Sequence, residues 1–264
     1  MKTKDDLIKV ANETLEIIRE GGYQLPGTAD WVDLLPRISF VVNNSGIMKS
    51  PIELPKDTNP LYETKVYVEN IDTLEKAIQW GRDGIILNMA SYWQPGGGFL
   101  KGSKAQEEEI CRRSTLYPAL SQFNGYYPLG KYELIHSPGV SIIRKKNYDL
   151  LATPGITNVI SFAAIKNPTL LPSGDMIPAD EKVMRNKIRY LLRAAAGSKA
   201  KKLVLGAWGC GSYHCPPHQV AQLFKEEIMR EEIQGRFEEI CFAILDNPFK
   251  QENNYEIFKS ILCQ

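Results

Sequence analysis

Two apolar runs that each lead into a glycine-rich segment constrain the fold of this chain more than any other feature. Residues 84–88 precede the segment 91–103, and residues 202–206 precede the turn 209–211. Short continuous apolar runs are typical of buried central strands in α/β sheets. Because ligands bind beyond the carboxyl ends of such strands, the pairing predicts an α/β fold with glycine-rich loops at a binding site.

The spacing of apolar residues predicts the remaining elements. Helices are expected over 4–20, 105–120, 179–196, 217–229 and 255–262, and a short helix capped by Asp72 is expected to reach about Trp80. Further strands are expected over 38–42, 65–68, 132–136, 140–144, 156–162 and 239–245, and residues 23–36 are expected to form a loop. Strands and helices alternate through the second half, which favours a parallel or mixed sheet covered by helices.

The composition is that of an ordinary folded protein. The 264 residues are 43% hydrophobic, with 32 basic and 31 acidic side chains. A net charge of +1 gives no overall field that would attract nucleic acid or a membrane surface, so neither a membrane nor sequence-specific binding of nucleic acid is expected. The five cysteines lack the spacing of a disulfide framework, and no signal peptide or membrane-spanning run is visible, so a cytoplasmic protein with reduced thiols is expected.

The first glycine-rich segment has the residue types of a site that cleaves a glycosidic bond. Gly96, Gly97 and Gly98 allow a ligand to approach the backbone closely. Glu107 and Glu108 follow at the start of a predicted helix, whose N-terminus favours negative charge. Adjacent carboxylates repel when both are ionised, which raises the pKa of one of them, and glycosidic cleavage requires such a protonated acid. A flexible loop before a solvated acidic turn is the alternative.

The second segment, 206–213, has the form of an anion cradle. A strand, a glycine-rich turn and a helix beginning near Pro217 together favour a phosphate or diphosphate. The glycine spacing matches neither a Walker loop nor a dinucleotide fingerprint. The alternative for this segment is a tight structural turn between strand and helix.

A metal site is weighed on four side chains and not favoured. Cys210, His214, Cys215 and His218 are ligand types suited to zinc, but their spacing is not that of a zinc finger. No metal and no cofactor are therefore expected. His136 lies in a predicted strand and is expected to be a structural residue with its hydrogen bonds satisfied.

The glycine triplet followed after seven residues by Gln106-Glu107-Glu108 resembles the signature of bacterial-type poly(ADP-ribose) glycohydrolases. The stretches 87–91, 111–117 and 203–211 are similar to that family as well. The resemblance implies a macrodomain-like fold, a three-layer α/β/α sandwich with a mixed sheet. It also implies one domain over residues 1–264, with an N-terminal helical extension over about 1–35.

The resemblance also implies roles for individual residues. Glu108 would be the catalytic acid, and Glu107 would hold ribose hydroxyls. Tyr213 stands where relatives usually have a phenylalanine against the terminal ribose, and His214-Cys215 departs from the family's usual Gly-Asn. The residues expected to bind substrate are Ser91, Gly96, Gly97, Gly98, Gln106, Gly209, Cys210, Gly211, Ser212 and Tyr213.

The implied activity is hydrolysis of ribose–ribose O-glycosidic bonds in poly(ADP-ribose), mainly from chain ends, with release of ADP-ribose. Its expected partners are poly(ADP-ribose) or ADP-ribosylated macromolecules. Two alternatives stay open: removal of single ADP-ribose groups from protein or nucleic acid, and a non-catalytic reader that only binds ADP-ribose.

Overall fold

The computed structural model describes residues 2–54, 61–246 and 253–263, which contain nine strands and eight α-helices. The helices are α1 Lys4–Glu20, α2 Leu35–Asn44, α3 Thr73–Trp80, α4 Gln106–Arg113, α5 Leu116–Ser121, α6 Pro178–Gly197, α7 Pro217–Ile228 and α8 Asn254–Leu262. The strands are β1 Gly22–Gln24, β2 Trp31–Asp33, β3 Gly46–Lys49, β4 Lys65–Glu69, β5 Gly84–Met89, β6 Glu133–Arg144, β7 Leu150–Phe162, β8 Lys202–Leu205 and β9 Glu239–Ala243.

Seven of the strands form a mixed sheet in the order β3-β6-β7-β5-β8-β9-β4. β6 and β7 are antiparallel, whereas β8 runs parallel to both β5 and β9, and β4 runs parallel to β9. β1 and β2 form a separate antiparallel pair. The α/β fold with a mixed sheet is therefore confirmed. The β5 and β8 registers align Ile85 with Leu203, so the two apolar runs of the sequence are neighbouring strands.

The chain divides into two compact units. Unit 1 comprises residues 1–48, 77–82 and 88–162, and unit 2 comprises 49–76, 83–87 and 163–264. One hydrophobic cluster of unit 1 contains Ile17, Tyr23, Leu34, Ile38 and Ile143. In unit 2, an aromatic series packs Trp208 on Phe224, Phe224 on Phe242 and Phe242 on Phe258.

Helix α1 forms where the sequence predicts it, and its ends explain why. Thr3 and Asp6 form a capping box, in which each side chain accepts a hydrogen bond from the other residue's N–H. Gly21 ends the helix in the left-handed conformation at φ 78°. The buried side of α1 then packs into unit 1.

Two expectations for residues 23–42 were wrong. The predicted strand 38–42 is part of α2, because Pro36 stands in the first helical turn, where its missing N–H costs nothing. Ile38 and Val41 are buried three residues apart, which is helical spacing. The predicted loop 23–36 contains β1 and β2. β3 lies in a segment for which no strand was predicted.

The predicted helix 105–120 is divided into α4 and α5. Ser114 leaves the helical conformation at φ −149° and forms a bridge with Ile142, so a long-range contact interrupts the local pattern. The two predicted strands 132–136 and 140–144 are one strand, β6, with an irregularity between Ser137 and Val140.

The other helices and strands form close to where they are predicted, except that β7 begins at Leu150, six residues before the predicted strand 156–162. Asp72 caps α3, since its Oδ1 accepts hydrogen bonds from the N–H groups of Leu74 and Glu75 at 3.0 and 3.1 Å. None of the helices in the described segments has the length and apolar character needed to cross a bilayer.

Candidate active site

The end of β5 is fastened to the first turn of α4. The N–H of Met89 donates to Gln106 Oε1 at 2.8 Å, and the N–H of Ser91 donates to Glu107 Oε2 at 2.7 Å. Both bonds lie within unit 1. Gln106 and Glu107 thus tie together two segments that are about 17 residues apart in the chain.

The glycine triplet approaches the two carboxyl groups so closely that a side chain would not fit. A Cβ at Gly97 would lie 2.6 Å from Glu108 Oε1 and 3.1 Å from Glu107 Oε2. The backbone of Gly97 has φ 54°, which other residues adopt rarely. Gly96 is similarly restricted at φ 70°, with Tyr117 2.9 Å from its hypothetical Cβ. The triplet is therefore a fixed wall of the site.

Glu108 has one oxygen held by the protein and one without a partner. Its Oε1 accepts a hydrogen bond of 2.9 Å from the N–H of Gly98. Its Oε2 is buried and has no hydrogen-bond partner among the described residues. An unpaired buried carboxyl oxygen is costly for a folded protein and is typical of groups kept for a ligand. Glu108 is therefore the member of the pair with an unpaired carboxyl oxygen in the described segments.

Glu107 is the member of the pair whose pKa is raised. Its side chain is buried, with only 3% of the residue exposed, and this burial is the main reason that its pKa rises to about 8. The negative charge of Glu108 raises it further, while hydrogen bonds from Ser91 N–H and the Asn88 side chain oppose the shift. At neutral pH, Glu107 is thus mostly a neutral carboxylic acid.

The third glutamate of the run points to a different set of partners. Glu109 accepts hydrogen bonds from the hydroxyl of Tyr148 at 2.9 Å and from the buried guanidinium of Arg112 at 2.7 Å. Both partners belong to unit 1, and they hold the Glu109 carboxyl group in structural hydrogen bonds.

Two polar side chains near Glu107 and Glu108 were not predicted from the sequence to belong to the site. Asn88, at the end of β5, donates to Glu107 Oε1 at 3.4 Å and to Ser161 Oγ at 3.0 Å. A polar asparagine at the end of an apolar run that predicts a buried strand is the sequence signal that could have revealed it. The hydroxyl of Tyr127 is buried without a hydrogen-bond partner in the described segments, and burial and the charge of Glu107 raise its pKa.

The second group of predicted residues, 209–213, lies in unit 2 and follows β8. Gly209 has φ 80°, and a Cβ there would lie 2.8 Å from Cys215 Sγ and 2.9 Å from Ala164 Cβ. At Gly211, by contrast, a Cβ would meet no described atom within 4 Å. Gly209 is therefore required by the turn itself, whereas Gly211 has open space beside it.

Contacts within the turn limit what it can offer a ligand. The N–H of Cys210 already donates to Ala207 O at 3.1 Å, so this amide is not a free donor. The carbonyl of Tyr213 accepts from the N–H of Asn167 at 2.8 Å, and the ammonium of Lys166 lies 5.9 Å from the centre of the Tyr213 ring. Ser212 is exposed.

The cysteine and histidine side chains of this turn have other partners. His214 Nδ1 is 2.9 Å from Asn167 Oδ1, and Cys215 Sγ donates to Ile165 O at 3.2 Å. No group of three or more His, Cys, Asp or Glu side chains suited to a metal occurs in residues 2–54, 61–246 and 253–263. His136 departs from expectation, because its Nε2 is buried without a hydrogen-bond partner in those residues and burial lowers its pKa.

Comparison with known proteins gives consistent matches. The family model of the microbial-type PARG catalytic domain matches residues 11–145, about half of the chain, including the glycine triplet and both glutamates. The poly(ADP-ribose) glycohydrolase (PARG) of Thermomonospora curvata is 28% identical, with a TM-score of 0.86 over 98% of this chain and 100% of that one. A search of curated proteins finds no match.

Two of the similar structures contain ligands. The Thermomonospora curvata enzyme bound to the inhibitor ADP-HPD is 28% identical and has a TM-score of 0.84 over 96% of this chain and 98% of that one. The Deinococcus radiodurans enzyme in complex with ADP-ribose is also 28% identical, with a TM-score of 0.70 over 90% of this chain and 98% of that one. With the family model, these matches show that the chain belongs to the microbial-type poly(ADP-ribose) glycohydrolases.

Proposed function

We propose that this chain hydrolyses the ribose–ribose O-glycosidic bonds of poly(ADP-ribose), mainly from chain ends, and releases ADP-ribose. The observation that carries the proposal is the pair of buried glutamates held against the glycine triplet. Of the four carboxyl oxygens of this pair, only Glu108 Oε2 lacks a partner in the described segments, while Glu107 is mostly neutral near pH 7 because burial raises its pKa to about 8.

In the first step, Glu108 acts as the general acid. It gives its proton to the ribose 2′-oxygen as the bond from that oxygen to the anomeric carbon breaks. The electron pair of this bond goes to the oxygen, and positive charge develops on the anomeric carbon. Glu108 then takes a proton from a water molecule whose oxygen attacks that carbon, so that the carboxylic acid is restored.

Glu107 has the position of a substrate-orienting group in this scheme. Protein donors already fix its carboxyl group at Ser91 N–H and Asn88 Nδ2. A rigid, mostly neutral carboxyl group can hold ribose hydroxyls and adds no negative charge beside the proton-donating Glu108. The absence of a side chain at Gly97 and Gly98 lets their backbone lie directly against the Glu108 carboxyl group.

The turn 209–213 is proposed to hold the diphosphate of ADP-ribose. The open space beside Gly211 and the exposed side chain of Ser212 support this role, and the N-terminus of α7 follows four residues after Tyr213. ADP-ribosylated macromolecules would present the same diphosphate and ribose groups.

Residues 1–264 are proposed to act as one catalytic domain. The cysteines, which are free thiols, favour a reducing compartment such as the cytoplasm.

Glu108→Gln tests the proposal directly. The substitution keeps the shape and the acceptor for Gly98 N–H but removes the transferable proton, so kcat on poly(ADP-ribose) should fall by about 10²- to 10⁴-fold. Glu109→Gln is the matched control, because Glu109 bonds Tyr148 and Arg112 and should leave the rate of the folded enzyme unchanged. Product release is followed by chromatography.

The outcomes separate the candidate functions. Unchanged ADP-ribose affinity in Glu108→Gln, together with lost cleavage, supports the acid role. Equal rates in parent and Glu108→Gln would refute it. A parent that binds ADP-ribose but releases none from polymer would point to a reader or to a mono-ADP-ribosyl substrate.

A further inference from the structure

An exposed pair of aromatic rings lies in the same loop as the glycine triplet and has no role in the proposed cleavage. Trp93 is 58% exposed. Its ring is stacked on Tyr92, with ring centres 5.0 Å apart and an angle of 30° between the planes. Because one face of the indole rests on Tyr92 while more than half of the residue is exposed, a flat ligand can reach the outer face.

Backbone contacts place this pair beside the catalytic carboxyl groups. Trp93 follows Ser91 by two residues, a span of at most about 7 Å. The N–H of Ser91 bonds Glu107 at 2.7 Å, and the N–H of Trp93 donates to Ser91 Oγ at 3.2 Å. Trp93 is therefore attached directly to the segment that holds Glu107.

The loop is also fixed from its other side. The carbonyl of Tyr92 accepts a 2.9 Å hydrogen bond from the N–H of Leu129, and the side-chain amide of Gln94 donates to the carbonyl of Gly97 at 2.5 Å. An aromatic ring on an ordered loop loses little conformational entropy when a ligand binds. Hydrophobic burial does not account for a tryptophan at this position, since most of the residue faces solvent.

The proposed substrate offers a partner of matching chemistry. Each unit of poly(ADP-ribose) carries an adenine, and adenines stack on exposed aromatic side chains whatever the neighbouring sequence. The scissile bond joins two units, so the enzyme must accommodate a second unit next to the one it releases. A flat, fixed aromatic surface close to the carboxyl pair is suited to the base of that second unit.

We propose that Trp93, backed by Tyr92, is a stacking platform for the adenine of the ADP-ribose unit on the far side of the scissile bond. This inference rests on the proposed function and adds a binding subsite to it. The platform gives the enzyme a preference for polymer over a single ADP-ribose group, because only polymer supplies the second base.

The experiment compares Trp93→Ala, Trp93→Phe and Trp31→Ala. Trp31 is the matched control, since it is a 54% exposed tryptophan of the same unit, on β2. For Trp93→Ala, the KM for poly(ADP-ribose) should rise by roughly 5- to 150-fold, the range expected for loss of one base–aromatic stack. Its kcat and its Kd for ADP-ribose should stay at the parent values. The KM of Trp93→Phe should lie between the values of the parent and of Trp93→Ala, and the KM of Trp31→Ala should match that of the parent.

A second arm measures binding without turnover. In a Glu108→Gln background, Trp93→Ala should weaken affinity for polymer but not for ADP-ribose. An unchanged polymer KM and Kd would overturn the proposal. An equal loss of affinity for ADP-ribose would also overturn it, because the ring would then serve the released unit. If the parent does not cleave polymer, the proposed function fails, and the binding arm still tests Trp93.

Discussion

Glu107 and Glu108 are neighbours in the sequence, yet the structure gives their carboxyl groups different surroundings. Glu107 accepts hydrogen bonds on both oxygens, from Ser91 N–H and Asn88 Nδ2, and is the more deeply buried. Glu108 accepts one bond from Gly98 N–H and keeps Oε2 unpaired in the described segments. Under the proposed function, these two identical side chains would therefore perform different tasks, one positioning substrate and one transferring a proton.

The raised pKa of Glu107 predicts a pH-dependent stability cost. In the unfolded chain this carboxyl ionises near its ordinary pKa of 4.5, but in the folded chain it ionises near 8. Between pH 4.5 and about pH 8, the folded state therefore binds more protons than the unfolded state. The contribution of Glu107 to stability is most favourable below pH 4.5, declines as the pH rises from there, and is lost above about pH 8.

Glu107→Gln should remove this dependence. The variant should melt at a higher temperature than the parent at pH 8.5, and the difference in Tm should shrink towards pH 5. Asn88 Oδ1 has no partner in the described part of the chain, so it can accept from the new amide after rotation of the Asn88 side chain. Calorimetric scans of both proteins across this pH range provide the measurement. A constant difference in Tm would show that Glu107 is not desolvated as described.

At the scale of elements, the turn after β8 contains two glycines with different constraints. Gly209 has a positive φ, and a side chain there would collide with Cys215 and Ala164. Gly211 has neither constraint. The structural-turn explanation therefore applies to Gly209, and the anion-cradle explanation can be tested at Gly211.

Gly211→Val should lower ADP-ribose affinity at least several-fold while leaving Tm within about 2 °C of the parent, because the added methyl groups fill the space proposed for the diphosphate. Gly209→Val should instead lower Tm, since a β-branched residue at φ 80° is strained. Calorimetric titration and thermal scans of both variants test the pair. Normal ADP-ribose affinity in a folded Gly211→Val protein would exclude this turn as the diphosphate site.

At the scale of the molecule, α1 is integrated into unit 1. It buries Leu7, Val10, Ala11, Thr14 and Ile17. Thr14 Oγ1 donates to the carbonyl of Arg112, at the end of α4, and accepts from the buried guanidinium of Arg144. The N-terminal helix thus supports the same helix that presents Glu107 and Glu108.

Deletion of residues 1–20 should therefore unfold unit 1. Burial of Leu7, Val10 and Ile17 contributes about 5–9 kcal/mol at roughly 1.5–3 kcal/mol each. That amount is comparable with a typical total stability of about 5–15 kcal/mol. Circular dichroism and limited proteolysis of the shortened chain provide the measurement. A cooperative transition with a Tm near that of the full chain would show that α1 is dispensable.

Where local signals dominate, the sequence was a good guide to the fold. α1, α3, α6 and β5 form as predicted, because apolar spacing and capping residues act over a few residues. Long-range contacts explain the failures. Ser114 pairs with Ile142 and divides the predicted helix 105–120, and the burial of Ile38 and Val41 makes a helix of a β-branched run.

By itself, the sequence determined the family to which the chain belongs, since the glycine triplet and Gln106-Glu107-Glu108 lie close together in the chain and depend little on distant residues. The tertiary structure decided which carboxyl group is neutral, which carboxyl oxygen is unpaired and which glycine has open space beside it. Those properties depend on burial and on partners such as Asn88 and Ser161, which come from other parts of the chain. Desolvation and hydrogen bonding at a buried site are set by everything that surrounds it, and only folding brings those groups together.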